Sequence, residues 1–70
     1  MYFLKATTEQ EMQEKIKYLS LHDPSVLVRR EAVKQLKDEW TIQHIAQTDN
    51  DSIVRQIAVR KLSDQYLFLI

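Results

Sequence analysis

The stretch DPSVLVRREAVKQL, residues 23–36, returns 26 residues later as DNDSIVRQIAVRKL. Laying residues 19–38 over 45–64 gives identities at Asp23/Asp49, Val28/Val54, Arg29/Arg55, Ala32/Ala58, Val33/Val59, Leu36/Leu62 and Asp38/Asp64. Leu19/Ile45, Leu27/Ile53 and Lys34/Arg60 add conservative pairs at the same offset. A fixed period of this kind means that one supersecondary unit is used twice. A single unit cannot bury its apolar face alone, and a neighbour of the same geometry covers it. Whatever residues 23–36 fold into, residues 49–62 must fold into as well.

The unit is helical. Glycine is absent from the whole chain, which removes the usual source of the positive-φ positions in hairpin turns and phosphate-binding loops. Thr8 with Glu11 reads as a capping box. Met12, Ile16 and Leu19 follow at helical spacing, so a first helix is expected over residues 8–21. Asp23 before Pro24, the only proline, has the order of a cap followed by a proline at the first helical position. Val28, Ala32 and Leu36 make the second stripe. Asp38 caps a third segment in which Ile42, Ile45 and Ala46 share a face. Asp49 or Asp51 caps a fourth, with Val54, Ala58 and Leu62 inside, and Asp64 is read as opening a fifth helix. The helices are expected to pair first with second and third with fourth. Residues 1–70 then form one domain, with repeats at about 11–37 and 38–62 and a half repeat at 63–70.

Seventy residues make one small domain, which buries only about 60% of its unfolded surface and is marginal alone. Ten Lys and Arg balance ten Asp and Glu, and 44% of residues are hydrophobic. That profile belongs to a globular chain and argues against a globally basic nucleic-acid binder. Without cysteine, disulfides, thiolate nucleophiles and zinc–cysteine sites are excluded. The longest apolar run is the YLFLI at residues 66–70, against about 20 residues for a membrane span. MYFLK is also shorter than the apolar region of a signal peptide. The expectation is a cytoplasmic protein with no membrane association.

The VRREAV and VRQIAV segments, with LKDEW and the IA that follows it, resemble the short HEAT-like repeats. The resemblance spans about residues 11–70, and the variant leucine-rich repeats are a close structural alternative. It implies a right-handed stack of helix pairs serving mainly as a scaffold for binding proteins, with some members binding nucleic acid or serving enzymes. With the helices counted above, the expectation is an all-α, right-handed superhelical stack of about two and a half helical hairpins, five helices in all. The resemblance also implies a role for Asp23, Arg29, Asp49 and Arg55. In HEAT-like families the equivalent residues often form a ladder of hydrogen bonds and ion pairs between neighbouring turns. The competing reading of Arg29 and Arg55 is a pair of stacked cations for an anionic ligand.

Charge divides by element. Residues 23–37 carry Arg29, Arg30, Lys34 and Lys37 against Asp23 and Glu31, and residues 50–62 carry Arg55, Arg60 and Lys61 against Asp51. Residues 38–49 hold acids and no Lys or Arg. If the basic helices line a concave face, as the resemblance implies, Arg30, Lys34, Arg55 and Arg60 make a partner-binding surface for an acidic protein segment or a phosphate backbone. The plainer reading is a solvated helix face.

Catalysis has little support. His22 and His44 are the only histidines, and they lack the spacing of a helical metal site. Asp38 with Glu39 and Asp49 with Asp51 sit where helix N-termini favour negative charge. No Ser, Thr or Lys has a local partner that would activate it. Trp40 and Tyr66 hold equivalent positions and are expected to wedge between repeats rather than to stack on bases. In the half repeat, Leu67, Leu69 and Ile70 replace the polar Thr41, Gln43 and His44, while Phe68 matches Ile42. A segment apolar nearly all round is expected to be buried. Self-association through Tyr66, Leu67, Phe68, Leu69 and Ile70, giving a homodimer, follows as an expectation. The sequence therefore reads as a non-catalytic protein-interaction or assembly module needing no cofactor and no metal. The second reading is a small nucleic-acid or phosphate-binding accessory protein.

Overall fold

The computed structural model describes the backbone of residues 8–69 and the side chains of residues 8–64. Four α-helices run through them: α1 (Glu9–His22), α2 (Val26–Gln35), α3 (Glu39–Thr48) and α4 (Ser52–Leu69), with no strand among the described residues. Helix α1 packs on α2, α3 packs on α4, and the two hairpins meet through α2 and α4.

Each start has a side-chain cap. Thr8 Oγ1 accepts from the Glu11 amide at 3.1 Å while Glu11 Oε1 accepts from the Thr8 amide at 3.0 Å, a closed capping box. Asp38 accepts from the Thr41 amide at 3.2 Å and Asp51 from the Val54 amide at 2.9 Å. Helix α2 departs from the sequence reading, because its cap is Ser25, whose Oγ accepts from the Val28 amide. The Asp23 carboxylate is already engaged by the Ser25 amide at 2.8 Å, so it shapes the turn before the helix instead of closing its first turn.

The turns also show how the chain manages without glycine. Helices α1, α2 and α3 end in residues with extended backbone, Asp23 (ψ 132°), Leu36 (ψ 137°) and Asp49 (ψ 138°). No described residue has a positive φ, so the left-handed helix terminator that usually calls for glycine is not used.

The core is one cluster at the meeting of the hairpins: Val33, Leu36, Ile42, Ile45, Val54 and Ala58, each no more than 2% exposed. Ile16, Leu21, Val26, Ala46, Ile57 and Leu62 pack around it. Trp40 does not wedge between the repeats. It is 80% exposed, because Thr41, Ile42 and Ile45 turn the buried face of α3 inward and put position 40 on the opposite flank.

The expectation of five helices, and with it the stack of two and a half hairpins, is overturned. Residues 64–69 continue α4 without a break. The cause lies in what holds the earlier break open at residues 36–38. There Gln13 donates Nε2–H to the Gln35 carbonyl at 3.1 Å and accepts from the Lys37 amide on Oε1 at 2.9 Å, replacing the helical bonds lost at the turn. Thr41 then donates its hydroxyl to the Asp38 carboxylate. One repeat later, Glu39 stands at the position of Gln13 and Leu67 at that of Thr41. A carboxylate has no N–H to give a carbonyl, and leucine has no hydroxyl. Asp64, without these partners and with no glycine or proline beside it, is carried inside the helix.

Candidate functional site

The two turns within the hairpins, at residues 23–25 and 49–51, repeat down to single hydrogen bonds. Arg29 Nη1 donates to the Asp23 carbonyl at 2.9 Å, and Arg55 Nη1 donates to the Asp49 carbonyl at 2.6 Å. The Asp23 carboxylate accepts from the Ser25 amide and the Asp49 carboxylate from the Asp51 amide, both at 2.8 Å. Each arginine therefore reaches back six residues to satisfy the carbonyl left free where the preceding helix ends.

Arg29 also links the turns. Its Nε and Nη2 donate to Asp49 Oδ2 and Oδ1 at 3.1 and 3.4 Å, a two-pronged pair with side chains 14% and 8% exposed. Nη2 adds a contact to Asn50 Oδ1. Beside this pair, Arg30 grips Asp51 in the same way, at 3.2 and 3.4 Å. The planar guanidinium fits a carboxylate along two parallel bonds, which fixes orientation as well as distance. That bond from Arg30, with the Val54 amide behind it, holds the Asp51 carboxyl below the usual carboxylate range. The hydrogen bond from Thr41 does the same for Asp38.

The ladder is open at both ends. Among the described residues no carboxylate lies within ion-pair distance of Arg55 and no cation within that distance of Asp23. The apolar positions follow the same rule. Val33 is fully buried and its repeat equivalent Val59 is 49% exposed, whereas Val28 is 37% exposed and its equivalent Val54 is fully buried. The first hairpin turns Arg29, Arg30, Val33 and Leu36 toward the second. The second turns Asp49, Asp51, Ile42, Ile45 and Val54 toward the first. What remains outside is a leading face with Asp23, Ser25 and Val28, and a trailing face with Arg55, Gln56 and Val59.

Of the residues proposed as a basic partner-binding surface, Arg30 is tied to Asp51, Lys34 to Glu31 at 2.9 Å and Arg55 to the Asp49 carbonyl, while Arg60 is exposed. The four do not gather as one set of free cations. Tyr66, Leu67, Phe68, Leu69 and Ile70, proposed for self-association, lie outside the residues whose side chains are described. A groove of about 420 Å³ runs between the two turns, lined by His22, Asp23, Arg29, His44, Thr48 and Asp49 among others. His22 sets its ring against Tyr18, centroids 5.0 Å apart. No cluster of His, Asp and Glu suited to a metal ion occurs among the described residues.

Gln13 and Lys61 were not singled out from sequence. Lys61 donates Nζ–H to the Lys34 carbonyl at 2.7 Å, and burial there pushes its ammonium pKa down. The signal for Gln13 was its mismatch with Glu39 at the repeat offset, since a position that differs between otherwise similar units marks where those units differ in structure.

No family model matches the chain, and no curated protein or solved structure matches it.

Proposed function

We propose that this chain is a non-catalytic protein-interaction module whose binding surfaces are the leading and trailing faces of its paired hairpins, in keeping with its HEAT-like sequence pattern. One observation carries the reading. Residues that are identical between the repeats, Val28/Val54 and Val33/Val59, are buried at the inner contact and exposed at the outer faces. Each outer face keeps the chemistry of a packing surface without a described occupant, and an apolar centre beside a charged rim is the usual make-up of a protein interface. The nucleic-acid reading loses ground to the same geometry, because Arg30 is paired with Asp51 and Lys34 with Glu31 within the chain.

The test is site-specific photo-crosslinking in cells, with a benzoylphenylalanine replacing Val28 or Val59 and, as control, Leu27. Leu27 is 64% exposed and its equivalent Ile53 is 42% exposed, so this position is on the surface of both repeats and belongs to neither end face. Discrete protein adducts at 28 and 59, in excess over 27, are expected. Equal or absent adducts at all three positions would refute the reading.

A further inference from the structure

The two outer faces, which have no occupant among the described residues, are complementary to each other. The trailing face presents Arg55, Gln56 and Val59, which stand one repeat beyond Arg29, Arg30 and Val33. The leading face presents Asp23, Ser25 and Val28, which stand one repeat before Asp49, Asp51 and Val54. The inner contact joins the corresponding groups: Arg29 holds Asp49, Arg30 holds Asp51, and Val33 and Val54 share one buried cluster.

We propose that a second copy of this chain docks head to tail, its leading face on the trailing face of the first, so that Arg55 of one copy takes the Asp23 carboxylate of the next and Val59 packs with Val28. This rests on the interaction reading above and names the partner. Three matches support a copy over an unrelated protein. Arg55, which has no carboxylate partner among the described residues, meets Asp23, which has no cation partner among them. A valine half in solvent meets a valine half in solvent. Where the inner contact has the charged pair Arg30 and Asp51, the outer faces have the neutral pair Gln56 and Ser25, so both members changed polarity together. An amide facing an aspartate, or an arginine facing a serine, would have left a charge unmatched, and burying an unmatched charge is costly.

The geometry of such a contact is heterologous. Each copy uses one face to receive and the other to insert, so addition does not stop at two unless the rotation closes a ring. A homodimer through residues 66–70 would instead be isologous and self-limiting.

Sedimentation velocity on the purified chain separates these cases. The wild type is expected to show a weight-average mass that climbs with concentration past that of two chains. Val28→Glu and Val59→Glu, both at exposed positions and both to be verified as folded by circular dichroism, should each weaken self-association by roughly tenfold or more. Mixed in equal amounts, the two variants should form a complex of two chains and nothing larger, because one intact leading face meets one intact trailing face. A wild type that stays at 8.4 kDa throughout, a dimer that does not grow, or association indifferent to both substitutions would overturn the proposal. If the wild type is monomeric while position 59 still crosslinks to a different cellular protein, head-to-tail stacking falls and the interaction reading stands.

Discussion

The first hairpin and the second hold the same valines at equivalent places and bury opposite ones. Val54 is sealed and Val28 is not; Val33 is sealed and Val59 is not. Local helical geometry is alike in both, so the difference comes only from which side the neighbour stands on. In a two-unit stack, residue type records the packing rule, and position in the stack decides whether the rule is satisfied.

The sharpest way to break this comparison is to place a charge at each member of a pair. Val54→Asp puts an unpaired carboxylate into the core and is expected to cost more than about 4 kcal/mol. A domain of this size holds only about 3–5 kcal/mol in all, so the variant should be unfolded by circular dichroism at 25 °C. Val28→Asp, at an exposed site, should stay folded and lose under about 1 kcal/mol. Equal losses in the two variants would mean that the hairpins are not packed as described.

The second contrast is between Arg29 and Arg55. Both hold a carbonyl six residues back, and among the described residues only Arg29 also grips a carboxylate with little exposure to solvent. Arg29→Met removes the cation paired with Asp49, leaving that carboxylate only the Asp51 amide, and should cost about 2–4 kcal/mol, whereas Arg55→Met forfeits one hydrogen bond, worth about 1 kcal/mol. Urea titration of both variants would show the gap as a difference in midpoint at constant slope.

These contrasts also mark how far the sequence could be read. The 26-residue period, the helical character of each unit and the pairing of helices follow from spacing and caps, because those signals are local or strictly repeated. That Asp23, Arg29, Asp49 and Arg55 hold equivalent places in the two turns was visible as shared identity. Burial was not, since Val28 and Val54 are the same residue and nothing local tells them apart. The fifth helix failed for a related reason. Asp38 and Asp64 look alike as caps, but the break at 36–38 depends on Gln13, more than twenty residues away in sequence. The wedge expected at Trp40 rested on its match to Tyr66 at the repeat offset, whereas its place on the helix face is set by the buried Thr41 and Ile42 beside it.

The Gln13 clamp gives the third prediction. Gln13→Glu makes the first hairpin resemble the second, where Glu39 holds the equivalent place. It removes the donor to the Gln35 carbonyl and keeps an acceptor for the Lys37 amide. The expected cost is about 1 kcal/mol, with faster amide exchange at Lys37 and Asp38 as the turn loosens. Unchanged exchange there would mean that the break is held by Asp38 and Thr41 alone.

The smallest effect expected concerns pH, and it again sets one hairpin against the other. The second hairpin is capped at α4 by Asp51, a carboxylate gripped by Arg30, while the first is capped at α2 by the neutral Ser25. The Asp51 carboxyl is held below its ordinary value first by the Arg30 hydrogen bond and then by the Val54 amide. A carboxyl depressed in the folded state binds its proton more readily when unfolded. Its contribution is therefore complete above the ordinary carboxylate range and disappears as pH falls through the lowered folded value. Since the pair is still partly exposed to solvent, the contribution is small. Asp51→Ser copies the Ser25 cap, keeps a hydroxyl acceptor for Val54 and removes the titrating group. The wild type should lose melting temperature between about pH 5 and pH 2, and Asp51→Ser should lose less over the same interval. Part of the slope must survive, because Asp38 is depressed as well, through Thr41. Combining Asp51→Ser with Thr41→Val should flatten the acid limb further than either change alone. If the slopes of wild type and Asp51→Ser coincide, the Arg30 grip on Asp51 does not persist in solution, and the polar link between the hairpins rests on Arg29 and Asp49.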